Sequence, residues 1–191
     1  MWNYCPSCAS PAIQFDGTHK FSCPACGFVY YHNTAAATGC VIRSKRGILL
    51  LVRGKEPAKG KLDLPGGFVD PGEGALDGLR RELREEIGWA PPVEPEDGSE
   101  APDKRITGPA FRLFASFPNV YPYKGVPYNT CDMFFTLDVP DLTEQDLYPE
   151  VGEIGGFRFV EAGSIRMEDL AFDSTRRAIA AYLRNGKAWG L

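Results

Sequence analysis

Apolar positions alternate with polar ones in some stretches of the chain and recur every three to four residues in others, and the two periods divide it into strands and helices. Residues 35–43 and 47–53 read as strands joined through the polar turn Ser44, Lys45, Arg46, Gly47, a hairpin pattern. Strand patterns resume at 106–117, 130–139 and 156–161. Leu76, Leu79, Leu83 and Ile87 form one face of a predicted helix that follows the turn residues Pro71, Gly72 and Gly74 and stops at Gly88. A second helix, 174–184, turns Ala178, Ile179, Tyr182 and Leu183 inward. Residues 28–31 read as a short strand closing an N-terminal segment, and His32, Asn33 and Thr34 mark the passage to the next domain. Domains are therefore expected at 1–33 and 34–191.

Between these elements lie three polar or proline-rich stretches. A basic loop after Gly54 leads into Leu64, Pro65, Gly66, Gly67, whose glycines suit close approach of backbone to a metal or phosphate. Residues 91–104, rich in Pro, Glu and Asp, read as an exposed loop without assignable chemistry. Residues 118–129 read as a proline-fixed loop carrying Tyr121, Tyr123 and Tyr128. Aromatic rings there are candidates to stack on a nucleobase, which is worth about 1–3 kcal/mol per base in single-strand binding proteins. The alternative is that they cover a sheet edge or a homodimer interface.

Composition narrows the function classes. At 191 residues the chain suits one ordinary domain plus a small appendage. A formal net charge of -4 argues against a broad nucleic-acid surface or polybasic membrane attachment. No apolar run approaches a membrane span, and the start MWNYCPSC lacks the basic flank and apolar core of a signal peptide, so a cytoplasmic location is expected.

Four of the six cysteines form two CxxC pairs, Cys5 with Cys8 and Cys23 with Cys26, separated by 14 residues. That spacing suits two knuckles around one tetrahedral Zn2+, and it resembles a zinc ribbon, with Ala9 in place of a glycine after the first pair. So small a segment buries too little apolar surface to fold alone, and metal binding would supply its folding energy. A rubredoxin-type iron site and a redox dithiol are the competing readings. His19 and His32 read as surface or packing residues, and Cys40, in an apolar strand, as a buried small side chain.

The densest chemistry lies in the first long helix. At about 100° per residue, Glu82, Glu85 and Glu86 share an arc beside the apolar stripe. Like charges at these spacings each destabilise a helix by a few tenths of a kcal/mol, roughly, and a divalent cation would remove that cost. Oxygen-only ligands favour Mg2+ or Mn2+, often shared with substrate phosphates. A solvated acidic face balanced by Arg80, Arg81 and Arg84 is the plain alternative. Gly67, Glu73, Arg81, Glu82, Leu83, Glu85, Glu86, Gly88 and Trp89 occupy the fixed positions of GX5EX7REUXEEXGU, and the stretch thereby resembles the Nudix box, with Trp89 where an aliphatic residue is usual.

That resemblance implies an α+β fold, a Nudix-type α/β/α sandwich around a mixed sheet, here preceded by the ribbon. It implies Mg2+-dependent hydrolysis of the pyrophosphate of a nucleoside diphosphate derivative. Glu82, Glu85 and Glu86 would hold the metal, Arg81 would orient a glutamate, Glu73 would support the site, and Glu85 or Glu86 would take the proton. Glu150 and Glu153, just before the strand at 156–161, are candidates to complete the metal site or act as base. Ribbon followed by Nudix domain is similar to the NADH pyrophosphatase architecture, whose substrate motif SQPWPFP corresponds to SFPNVYP here. Ser116, Pro118 and Pro122 coincide, while Tyr121, Asn119 and Val120 differ. NADH or NAD, ADP-ribose, a nucleotide sugar and a nicotinamide-capped RNA end are the substrates this implies. A non-catalytic nucleotide sensor with the ribbon as partner-binding surface is the reading from another class.

Overall fold

A computed structural model describes residues 2–90 and 111–185. The chain divides into two units, Met1–Thr34 and Ala35–Leu191.

In the first unit, β1 (Gln14–Phe15), β2 (Lys20–Ser22) and β3 (Val29–Tyr31) form an antiparallel sheet in sequence order. Each CxxC stretch is a tight turn: the Ala9 N–H donates to the Cys5 carbonyl at 2.8 Å and the Gly27 N–H to the Cys23 carbonyl at 2.9 Å. Ala9 takes the same left-handed backbone as Gly27, with φ of 58° and 76°, so the missing glycine leaves the turn unchanged. The core is small. Cys5, Phe21 and Cys23 are its buried apolar residues, and the Phe21 ring lies 4.8 Å from Trp2 and 4.6 Å from Phe15.

The second unit follows as β4 (Ala35–Ser44), β5 (Gly47–Arg53), β6 (Leu62–Asp63), α1 (Ala75–Ile87), β7 (Arg112–Tyr123), β8 (Val126–Asp138), β9 (Ile154–Val160) and α2 (Asp173–Arg184). The sheet runs β6-β5-β4-β8-β7, with β9 also on β5. β4 and β8 are parallel and the other pairs antiparallel, so the sheet is mixed. Alternating side chains distribute it between two helices. Cys40, Ile42, Leu49, Leu51, Phe135 and Leu137 meet Leu79, Leu83 and Ile87 of α1, whereas Val41, Ile48, Leu50 and Phe134 meet Ala178, Ile179 and Tyr182 of α2. The result is the α/β/α sandwich. Leu79, Leu83 and Ile87 are fully buried, each contributing about 1.5–3 kcal/mol. Among the described residues no helix is long and apolar enough to cross a membrane.

Two expectations change, and two others reach outside the described residues. Leu76, in the first turn of α1, is 36% exposed and falls outside the stripe. Residues 118–129 are not a loop: β7 and β8 continue through them, and the turn is Lys124 and Gly125, both at positive φ, a two-residue hairpin. Prolines are tolerated because β7 is an edge strand and because β4 reaches β8 only from Thr130, so Pro127 faces β7 alone. The strand expected from 106 begins at Arg112 within the described residues. The loop expected at 91–104 lies outside them.

β4 and β5 pair only at Arg43 with Ile48 and Ser44 with Gly47. Residues 62–69 enter the wedge beyond, first pairing with β5 as β6, then with β4: Cys40 N–H to the Pro65 carbonyl at 2.9 Å, Thr38 N–H to the Gly67 carbonyl at 2.8 Å, and Val69 N–H to the Ala36 carbonyl at 3.0 Å.

Candidate active site

The wedge leads the backbone of Gly66 and Gly67 against the acidic arc of α1. The Gly66 N–H donates to Glu86 Oε2 at 2.7 Å. Gly66 has φ +138° and a Cβ there would strike the Thr38 carbonyl oxygen, so no other residue fits without shifting backbone.

Arg81 ties the loop before α1 to the helix. Its Nε and Nη2 donate to Glu73 Oε1 and Oε2 at 2.8 and 3.0 Å, Nη1 to Glu82 Oε1 at 2.8 Å and Glu85 Oε2 at 3.0 Å, and Nη2 to the Phe68 carbonyl at 2.8 Å. The bidentate bond to Glu73 raises the Arg81 pKa, and the same bond, with the Asp70 N–H, lowers that of Glu73. Glu82 and Glu86 go the other way. Desolvation by the surrounding protein pushes both up, Glu86 well above the usual carboxylate range despite the Gly66 N–H.

Both glutamates line a cavity of about 210 Å³. Its wall carries five carboxylates, those of Asp63, Glu82, Glu86, Asp132 and Glu153, against the cations Arg53 and Lys55. Arg53 is already engaged, with Nη1 on Asp63 at 3.1 Å and Nε on the Pro57 carbonyl at 2.8 Å, and Lys55 pairs with Glu153. Burial raises the Asp63 pKa, opposed by Arg53, the Thr175 hydroxyl at 2.8 Å and the Leu64 N–H at 3.0 Å. An oxygen-lined cavity whose carboxylates outnumber its cations has the donor chemistry of a divalent-cation site.

Not all the candidate residues meet there. Glu85 is half exposed and outside the cavity wall, bonded only to Arg81 among the interactions described. Of the two carboxylates before β9, Glu153 lines the cavity and Glu150 does not. Tyr121 enters it, its ring 5.6 Å from Phe68 and 5.4 Å from Phe172, which also line it. Tyr123 stacks behind Tyr121 at 6.4 Å, and Tyr128 lies edge-on to Phe68 at 6.4 Å; both are exposed outside the wall. Sequence reading missed Arg53, Asp63, Phe68, Thr130, Asp132 and Phe172. Their one available signal was polarity in apolar strand contexts, at Asp63, Thr130 and Asp132.

In the first unit the four cysteine sulfurs lie within 4.8 Å of one another, with Cys5 and Cys26 at 3.7 Å and Cys8 and Cys23 at 3.8 Å. Tetrahedral Zn2+ with bonds of about 2.3 Å separates its sulfurs by about 3.8 Å, so the set fits that ion. Among the described residues it is the single group of three or more metal-ligating side chains gathered so closely.

The sequence profile of the NUDIX domain matches residues 33–183. The NAD-capped RNA hydrolase NudC of Stutzerimonas stutzeri is 35% identical over 85 residues, 44% of this chain and 30% of that protein. The ADP-ribose pyrophosphatase of Methanocaldococcus jannaschii is 41% identical over 66 residues, 35% of this chain and 38% of that protein. The matches thus span about a third of these relatives. A NUDIX hydrolase from Nitrosomonas europaea shares the fold at TM-score 0.64 and 20% identity, over 97% of this chain and 92% of its own.

Proposed function

The chain belongs to the NUDIX domain family, and from that premise we propose that it is a metal-dependent pyrophosphohydrolase acting on a nucleoside diphosphate derivative of the NADH, NAD or ADP-ribose type. The observation that carries the reading is the make-up of the cavity wall: five carboxylates offer oxygen ligands to divalent cations, while its two cations, Arg53 and Lys55, are already paired and leave phosphate charge to be met by a metal. Relatives named for NAD-capped RNA and for ADP-ribose support the substrate class.

In this reading Glu82 and Glu86 hold Mg2+ or Mn2+ from the cavity wall and Glu85 completes the set from its rim. When bound, the metal neutralises phosphate charge and lowers the pKa of the attacking water. Arg81 holds Glu82 and Glu85 in place, with Glu73 anchoring Arg81 to the preceding loop. Water adds to one phosphorus, the bridging P–O bond breaks, and two phosphomonoesters leave; Glu85 or Glu86 receives the proton of the water. Phe68, Tyr121 and Phe172 give the base or nicotinamide ring an aromatic wall. Cys5, Cys8, Cys23 and Cys26 hold a structural Zn2+ in a separate N-terminal domain.

Product analysis with Mg2+ and, separately, Mn2+ tests this against NADH, NAD, ADP-ribose, a nucleotide sugar and a nucleoside triphosphate. Two monophosphates from a dinucleotide or sugar nucleotide are expected, with Glu86→Gln reducing turnover by about 10²-fold or more. Binding without consumption in Mg2+ would replace the hydrolase with a sensor.

A further inference from the structure

We propose that Asp132, flanked by Thr130, anchors the substrate by accepting hydrogen bonds from two adjacent donors, supplied either by the N–H edge of a guanine-type base or by the vicinal hydroxyls of a ribose. The inference deepens the hydrolase reading and rests on it for the identity of the cavity as the substrate cleft.

Thr130 and Asp132 are two residues apart on β8 and so share one face of the sheet. Both line the cavity that Glu82 and Glu86 line, and both are buried, at 2% and 9% exposure. Yet Thr130 Oγ1 and Asp132 Oδ1 have no hydrogen-bond partner among the described residues. Buried polar atoms in folded proteins are almost always paired, and those that are not call for a ligand or water. Across to β4 their neighbours are Ala35 and Ala37, which have no polar side-chain atom, and across to β7 they are Asn119 and Phe117, neither of which bonds to these two atoms. Asp63, the other aspartate of the wall, differs in that Arg53, Thr175 and the Leu64 N–H satisfy it within the fold.

The chemistry of the missing partner follows from the acceptor. An ionised carboxylate accepts and does not donate, and its two oxygens match two donors side by side. Guanine offers such a pair in N1–H and its 2-amino group, and ribose in its 2′ and 3′ hydroxyls, whereas adenine alternates donor and acceptor along the corresponding edge.

Calorimetric titration of the full chain in Mg2+ with GMP, AMP and 2′,3′-dideoxy-AMP separates the two sources without depending on turnover. Either GMP should bind about tenfold tighter than AMP, or AMP about tenfold tighter than its dideoxy analogue, and Asp132→Asn should erase that difference. Equal affinities for all three, no binding, or a difference that survives in D132N overturns the proposal. With a substrate that is hydrolysed, D132N should raise KM about tenfold with little change in kcat and the same Mg2+ requirement; a shift in the Mg2+ requirement instead would make Asp132 a metal ligand and overturn it. Thr130→Val should move KM the same way by less. Asp132-dependent binding without hydrolysis of any nucleotide would sink the hydrolase reading and leave the anchor standing, whereas hydrolysis with a flat binding series would do the reverse.

Discussion

Gly67 lies against the carboxylate of Glu82 so closely that a Cβ added at residue 67 would sit 2.6 Å from Glu82 Cδ and 2.7 Å from Oε1. Its three nearest neighbours would all be atoms of that one carboxylate, the movable end of a side chain. Gly67→Ala is therefore expected to push Glu82 aside while sparing the fold. A displacement of about 1 Å at a reacting centre can cost about 10²-fold in rate, so kcat should fall by that order with Tm nearly unchanged. Gly66→Ala is the contrast: its Cβ meets backbone at a left-handed φ, and thermal denaturation should show a loss of about 2 kcal/mol or more. Equal effects of the two on Tm would contradict the placement.

Arg81 bonds three glutamates and one carbonyl through a planar fork that lysine cannot reproduce. Arg81→Lys keeps the charge but loses most of these bonds. We expect a fall of about 2 kcal/mol in stability, together with a lower kcat, measured by denaturant titration and steady-state kinetics. Full activity in the lysine variant would show that the network is dispensable.

The raised pKa of Glu86 makes the Mg2+-free protein sensitive to pH. A carboxylate that is harder to ionise in the folded state stabilises fully below its unfolded value of about 4.3, and that contribution is lost as pH rises through its raised folded value. In Mg2+-free buffer at pH 8, Glu86→Gln should therefore raise Tm, since the amide keeps an acceptor for the Gly66 N–H and carries no charge to desolvate. Adding Mg2+ should stabilise the wild type far more than the variant. A variant less stable than wild type at pH 8 without Mg2+ would refute the assignment.

Tyr121 is the one tyrosine of the β7–β8 hairpin in the cavity wall. Tyr121→Ala should raise KM about tenfold, or about 1.4 kcal/mol, with a smaller change in kcat, and Tyr121→Phe should restore most of it. The same substitution at Tyr123, one ring further out, should do less. A kcat effect without a KM effect would remove Tyr121 from binding.

Replacing Cys5 and Cys8 by serine leaves two sulfurs where four now stand within 4.8 Å. Elemental analysis should show the loss of about one zinc per chain, and amide spectra should show residues 2–34 losing their dispersion. Protein purified without chelator that contains iron, or no metal, would overturn the zinc assignment.

Local chemistry was legible and register was not. Two CxxC pairs name their own site because each knuckle is made by neighbouring residues, and the burial of Leu79, Leu83 and Ile87 follows from helical period alone. Leu76 fits the same period yet stays exposed, since its turn lies at the start of the helix, where period alone does not decide what the sheet covers. Pro118, Pro122 and Pro127 suggested a loop because proline breaks a central strand, and only the sheet order reveals that they stand where no donor is required. Asp63, Arg53 and Asp132 reach one cavity from β6, β5 and β8, elements brought together by pairings that no short window of sequence contains.

The wedge between β4 and β5 lets the cavity draw on both faces of one sheet. Its carboxylates Glu82 and Glu86 hang from the helix on one side, while Thr175 belongs to the helix on the other, Phe172 directly precedes that helix, and Tyr121 belongs to the far strand. Each half rests on its own hydrophobic cluster. In the proposed hydrolase, substitutions at Tyr121 and Phe172 would alter what is bound and leave the glutamates of α1 on their own cluster.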